Sequence, residues 1–160
     1  MTVTIASRAE EIFLSQKEAQ ILKQRILFLL LNLYQQGYRH FYTNGAWGVP
    51  LWSAEMICIL KKTYPDIFLH LVLPHEHQAD KWQISMKKRY HKIKLSADTI
   101  QYSSVFDDDK SFQKADQFMI DQSDLLLFYG KQGFLNYSPQ YCSTGIEIYA
   151  KKNYIPVRYI

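Results

Sequence analysis

The chain has 160 residues, 48% of them hydrophobic and 21% charged, with a formal net charge of +4 at neutral pH. That balance belongs to one globular domain and excludes a disordered chain, a collagen and a disulfide miniprotein. The small positive charge supplies only unspecific attraction to nucleic acid, which is therefore not expected as a partner.

Taken in chain order, Val3 to Ala6 reads as a short strand with no basic region and apolar stretch around it, so no signal peptide is expected. A helix follows over about Lys17 to Gln36, and Gly37 stops it. Its apolar run Ile26 to Leu31, flanked by Arg25 and Asn32, is far shorter than the roughly 20 residues that cross a bilayer. No membrane partner is expected, and the location is expected to be cytoplasmic. Arg39 to Thr43 is the second strand, followed by a helix over Pro50 to Thr63 with Pro50 in its first turn and Pro65 beyond its end. Ile67 to Leu73 is the third strand. In the next helix, Ala79 to Leu95, a solvated basic face of Lys87, Lys88, Arg89, Lys92 and Lys94 stands opposite a packed stripe of Trp82, Met86, Tyr90 and Ile93. Thr99 to Ser103 is a strand, Ser111 to Gln122 a helix with Ser111 as its cap, and Leu125 to Tyr129 a strand. Thr144 to Asn153 and Pro156 to Tyr159 complete the pattern as helix and strand. Cys58 and Cys142 form no CxxC unit and are read as reduced packing residues.

Strand and helix in strict alternation predict an α/β fold: a single Rossmann-like three-layer sandwich over residues 1–160, with a mainly parallel sheet of about six strands. In such sheets ligands bind beyond the carboxyl ends of the strands. After the second strand, Thr43-Asn44-Gly45-Ala46-Trp47-Gly48 runs directly into a helix, a spacing that can turn several N–H groups toward an anion; neither GxGxxG nor the P-loop is present. The other reading of this segment is a tight turn without a ligand. After the third strand, Gln78 and Lys81 can reach a ligand and Trp82 can pack or stack. The His75-x-His77 pair lacks a third ligand, so no metal is assigned. Asp107-Asp108-Asp109 reads as a solvated loop. After the fifth strand comes Gly130, and Ser143-Thr144-Gly145 leads into the last helix. There Thr144-x-x-Glu147 has capping-box spacing, which stands beside the reading of Glu147 as a catalytic carboxylate.

Several of these segments, in order, resemble the YpsA-like family of the SLOG superfamily, which also contains Smf/DprA and LOG proteins. Gly45 to Glu55, GAWGVPLWSAE, is similar to that family's GALGVDLWAAE-type segment. Gln78-Ala79-Asp80-Lys81-Trp82 resembles its Q-x-x-K-W element, Ala97-Asp98 its AD pair, and Gln117 to Asp124 its QFMID-x-SD run. Ser138-Pro139-Gln140-Tyr141 and the following Ser143-Thr144-Gly145 resemble its late SPKY and GT segment. The resemblance implies a bacterial setting, a Rossmann-like fold and a pocket for a nucleotide or nucleotide-derived ligand, ADP-ribose or dinucleotide in type, in a sensing role. Ser7, Arg8, Thr43, Asn44, Gly45, Ala46, Trp47, Gly48, Glu55, Gln78, Lys81, Trp82, Gly130, Ser143, Thr144 and Gly145 would line it. No resident cofactor beyond such a ligand is assigned, and a homo-oligomer is allowed.

The chain departs from that pattern in places. Ile5-Ala6-Ser7-Arg8 stands where members carry a TGHR-like turn, Pro50 where an aspartate follows GV, and Gly130 where an aspartate follows the fifth strand. Two alternatives stay open. A LOG-like nucleoside monophosphate hydrolase would use Arg8 and Glu147, though of the PGGxGTxxE motif that LOG proteins carry only Thr144-x-x-Glu147 is present and the PGG run is missing. An interaction module for single strands or proteins would use the basic third helix.

Overall fold

The computed structural model describes residues 1–8, 13–105, 108, 110–130 and 145–160. The elements are β1 (Thr2–Ser7), α1 (Gln16–Gln35), β2 (His40–Thr43), α2 (Val49–Leu60), β3 (Phe68–Leu73), α3 (Ile84–Ser96), β4 (Thr99–Tyr102), α4 (Ser111–Asp121), β5 (Leu125–Tyr129), α5 (Ile146–Lys152) and β6 (Val157–Tyr159). The strands form one sheet in the order β4-β3-β2-β1-β5-β6. Every pairing is parallel, so the Rossmann-like α/β sandwich expected from the sequence is present, and the sheet is wholly rather than mainly parallel.

α1 begins at a reciprocal capping box, in which the Ser15 hydroxyl accepts from the Glu18 N–H and the Ser15 N–H donates to the Glu18 carboxylate. Leu22, Ile26, Leu30 and Leu33 then recur at helical spacing and bury one stripe. Gly37, at φ +94°, turns the chain away as expected. α1, α2 and α3 cover one face of the sheet around a core that includes Ile5, Phe41, Leu51, Ile57, Leu71 and Leu127. On the other face, α5 packs over Ala6, Leu126 and Phe128, and α4 over Val72. β1 is buried between these layers. Thr4, a buried polar residue of β1, bonds the Met119 carbonyl at 3.0 Å and the Ser123 hydroxyl at 2.7 Å, which removes the cost of an unpaired buried hydroxyl.

Some boundaries differ from expectation: α2 ends at Leu60 rather than Thr63, and the starts of α3 and α4 differ as well. Residues 79–83 form turns, so Lys81 and Trp82 precede α3, whose cap Gln83 is extended at φ −61°, ψ 151°. Ser111 is the first residue inside α4, not its cap: the N-cap is Lys110, which makes no side-chain cap bond, and Asp108 before it accepts from the Lys110 N–H through its side chain and from the Ser111 N–H through its carbonyl. Asp108 is exposed, as expected, while Asp107 and Asp109 lie outside the described residues.

At the amino ends of the strands, carboxylates fasten the chain. Asp124 accepts from the Thr2 N–H at 2.8 Å; Asp98 accepts from the Leu69 N–H at 2.6 Å and pairs with Lys61; Asp66 binds Arg39 at 2.7 Å and Tyr34 at 2.9 Å. On the α4 face, His70 bonds His40 at 3.0 Å and Thr99 at 2.8 Å and stacks on Tyr42, and burial together with His40 lowers its pKa to about 4. No helix among the described residues is long and apolar enough to cross a membrane.

Candidate functional site

The strand order reverses between β1 and β5, because β1 continues through α1 to β2 on one side and β5 through α5 to β6 on the other. At such a reversal the connections leave in opposite directions and a crevice opens beyond the carboxyl ends. Ser7 ends β1 there, buried, and Arg8 follows with its N–H on the Tyr129 carbonyl at 3.0 Å. The Arg8 guanidinium lies 5.5 Å from the Phe128 ring centroid and donates to Glu147 at 2.7 Å. Gly130 completes the wall, since a Cβ at that position would come within 3.2 Å of the Arg8 side chain.

Glu147 sits in the first turn of α5, 5% exposed, where a carboxylate suits the positive end of the helix. Its Oε2 faces Arg8, while its Oε1 accepts from Lys151 at 2.7 Å and from the Tyr159 hydroxyl. Burial pushes this carboxyl up, but Lys151, Tyr159 and Arg8 together outweigh burial and hold it below the usual carboxylate value. The carboxylate is therefore ionised and occupied on both oxygens. Gly145, at φ +89°, is the N-cap of α5, so Glu147 is its second helical residue, and its carboxylate is held by side chains of the described residues. Ser143 and Thr144 lie outside the described residues.

The second wall is the segment after β2. Gly45 (φ +64°) and Gly48 (φ +101°) take left-handed conformations that L side chains resist, and Gly48 is the N-cap of α2 without a side-chain cap. Pro50 falls in the first turn, as expected. The segment is also fixed from within. The Gly45 N–H points to the Thr43 hydroxyl at 3.4 Å, the Ala46 N–H donates to the Asn44 side chain at 3.0 Å, and Thr43 reaches the Pro50 carbonyl at 3.3 Å. Gln78 donates to the Asn44 carbonyl at 3.2 Å. Trp82 packs edge-on to Trp47 and Tyr90, and Glu55 forms a two-pronged pair with Arg89 at 2.6 Å, the guanidinium lying over Trp47. Lys81 is exposed. His75 is buried and His77 exposed beside Asp80, and no group of three or more potential metal ligands occurs among the described residues. Cys58 is half-buried against the core; Cys142 lies outside the described residues.

Comparison with known proteins fits this arrangement. The YpsA family model, described as the YspA SLOG family, matches residues 10–160. The chain belongs to that SLOG family. Among its relatives, a UPF0398 protein of Staphylococcus epidermidis is 32% identical over 142 residues, 86% of this chain and 74% of the relative. A UPF0398 protein of Staphylococcus saprophyticus is 32% identical over 118 residues, 72% of this chain and 63% of the relative, and one of Halalkalibacterium halodurans 31% over 100 residues, 61% and 53%. The matched stretch thus spans between 53% and 74% of these curated relatives.

Within the SLOG frame, two of the quoted motifs have structural work. Asp98 of the AD pair and Asp124 of the SD run fasten strand starts, at the end of the sheet opposite the crevice. Sequence reasoning missed Lys151 and Tyr159, which hold Glu147; only the i, i+4 spacing of Glu147 and Lys151 hinted at the first. It also missed Asp116, whose signal was a carboxylate in the buried stripe of α4 beside Ala115, Met119 and Ile120.

Proposed function

We propose that this chain binds a nucleotide-derived anion, of ADP-ribose or dinucleotide type, in the crevice at the strand-order reversal, in a sensing or regulatory role. The observation that carries this reading is Arg8: a half-buried guanidinium directly after β1, beside the β5 turn, with the neighbouring strand β2 leading into α2 through Gly48, an N-cap that has no side chain. A guanidinium and a helix start are complementary to separate phosphate oxygens. Trp47 and Trp82, both partly exposed, supply ring faces for a base. Calorimetry against ADP-ribose, NAD and AMP tests the reading. Binding should weaken by about tenfold or more in Arg8→Gln and Gly48→Glu, equivalent to roughly 1.4 kcal/mol. Unchanged affinity in both, with unfolding temperatures near the parent's, would sink the site.

A second reading has one observation behind it. Arg8 and Glu147, the pair a LOG-like glycosidic hydrolase would use, meet at 2.7 Å. It predicts base release from a nucleoside monophosphate that disappears in Glu147→Gln. Because both carboxylate oxygens are occupied, we favour binding over turnover.

A further inference from the structure

Asn44 is 1% exposed and forms the meeting point of three segments that are remote in sequence. Its side-chain oxygen accepts the Ala46 N–H at 3.0 Å, which closes a local turn. Its side-chain amide donates across the end of the sheet to Asp116 Oδ1 in α4 at 3.3 Å, and Asp116 is itself only 3% exposed. Its backbone carbonyl accepts from Gln78 at 3.2 Å, and the Gln78 oxygen in turn accepts from the Tyr90 hydroxyl of α3 at 3.1 Å. Tyr90 also fills the space a side chain at Gly45 would need, its Cε2 standing 3.2 Å from that Cβ position.

The α3 and α4 helices lie on opposite faces of the sheet, so the segment between β2 and α2 is gripped from both sides. A buried carboxylate in a helix stripe is costly unless something binds it, and here an asparagine amide does. We infer that Asp116 and Gln78 are positioning residues for the 43–48 segment, holding it through Asn44 in the shape that presents the start of α2. The inference deepens the proposed ligand site and rests on it for its purpose, while the positioning itself is measurable without any ligand.

The test uses the full chain and two readouts. Amide hydrogen exchange at Ala46 reports the segment, and affinity for ADP-ribose as probe reports the site. Asp116→Leu and Gln78→Leu should each speed Ala46 exchange by tenfold or more, beyond any change at core amides of β1. Asp116→Asn keeps an acceptor and should stay near the parent. Asn44→Asp sets two buried carboxylates together and should loosen the segment, and the exchanged pair Asn44→Asp with Asp116→Asn should restore protection. Ala46 protection unchanged in both leucine variants, or no recovery in the exchanged pair, overturns the inference. If protection responds as stated but the parent does not bind the probe, the positioning stands and the ligand reading fails.

Discussion

The two ends of this sheet are built from similar residues for different purposes. At the amino end, Asp98 and Asp124 each accept one strand-start N–H, and Asp66 ties Arg39 to Tyr34, all at the surface. At the carboxyl end the carboxylates go inside: Glu147 meets Arg8, Lys151 and Tyr159, and Asp116 meets Asn44. Exposed pairs contribute little because water competes, whereas buried ones are demanding and must be satisfied completely. The lesson is that the carboxylates at the amino end close the fold from the surface, while those at the carboxyl end are held inside it by side chains remote in sequence.

Acid titration separates the two regions. His70, on the amino half of β3, has its pKa lowered from 6.5 to about 4, so the unfolded chain binds a proton that the folded one refuses. Stability should fall as pH drops from about 6.5 toward 4, by on the order of 2–3 kcal/mol at 1.36 kcal/mol per pKa unit, and His70→Asn should flatten that limb in urea unfolding. Glu147, also lowered, contributes stability that is present above the ordinary carboxylate range and lost only as pH falls through its folded value, a later limb than that of His70. At neutral pH, Glu147→Gln should cost about 1–3 kcal/mol by replacing a buried carboxylate that Arg8, Lys151 and Tyr159 all donate to. A fall in stability that begins only below pH 4.5 would break the contrast.

The glycines give a smaller and sharper comparison. Gly45→Ala meets both a left-handed φ and side chains at 3.2 and 3.3 Å, so a loss of about 2 kcal/mol is expected in thermal unfolding. Gly145→Ala meets nothing within 4 Å and should cost about 1 kcal/mol from conformation alone. The smallest effect belongs to the amino end: Asp124→Asn should change stability by less than about 1 kcal/mol, measurable in urea unfolding, and a larger loss there would erase the distinction between the ends.

Much of the fold was legible. Alternating apolar runs and helical patterns, with Gly37 and Pro50 as punctuation, are local signals, and they lead to a parallel sheet because no other arrangement joins such units economically. Strand order was not legible, since the run from β4 to β5 gives no sign that it passes over β3, β2 and β1 before pairing. For the same reason Arg8 and Glu147 were each noticed but not their contact, and Asn44 was noticed without Asp116: these pairs are separated by 139 and 72 positions. The start of α3 was misjudged because the stripe of Trp82 continues into a turn that packs on Tyr90 as a helix would.

The strand order also has a temporal meaning. β1 lies at the centre of the sheet, yet its partner on one side, β5, follows it by more than a hundred residues, Val3 pairing with Leu125. Until β5 forms, β1 presents an open apolar edge, the kind of surface that recruits other chains. Such long-range parallel pairing makes folding slow. The first strand thus completes its pairing only once the fifth has been made, and a fragment ending before Leu125 should aggregate.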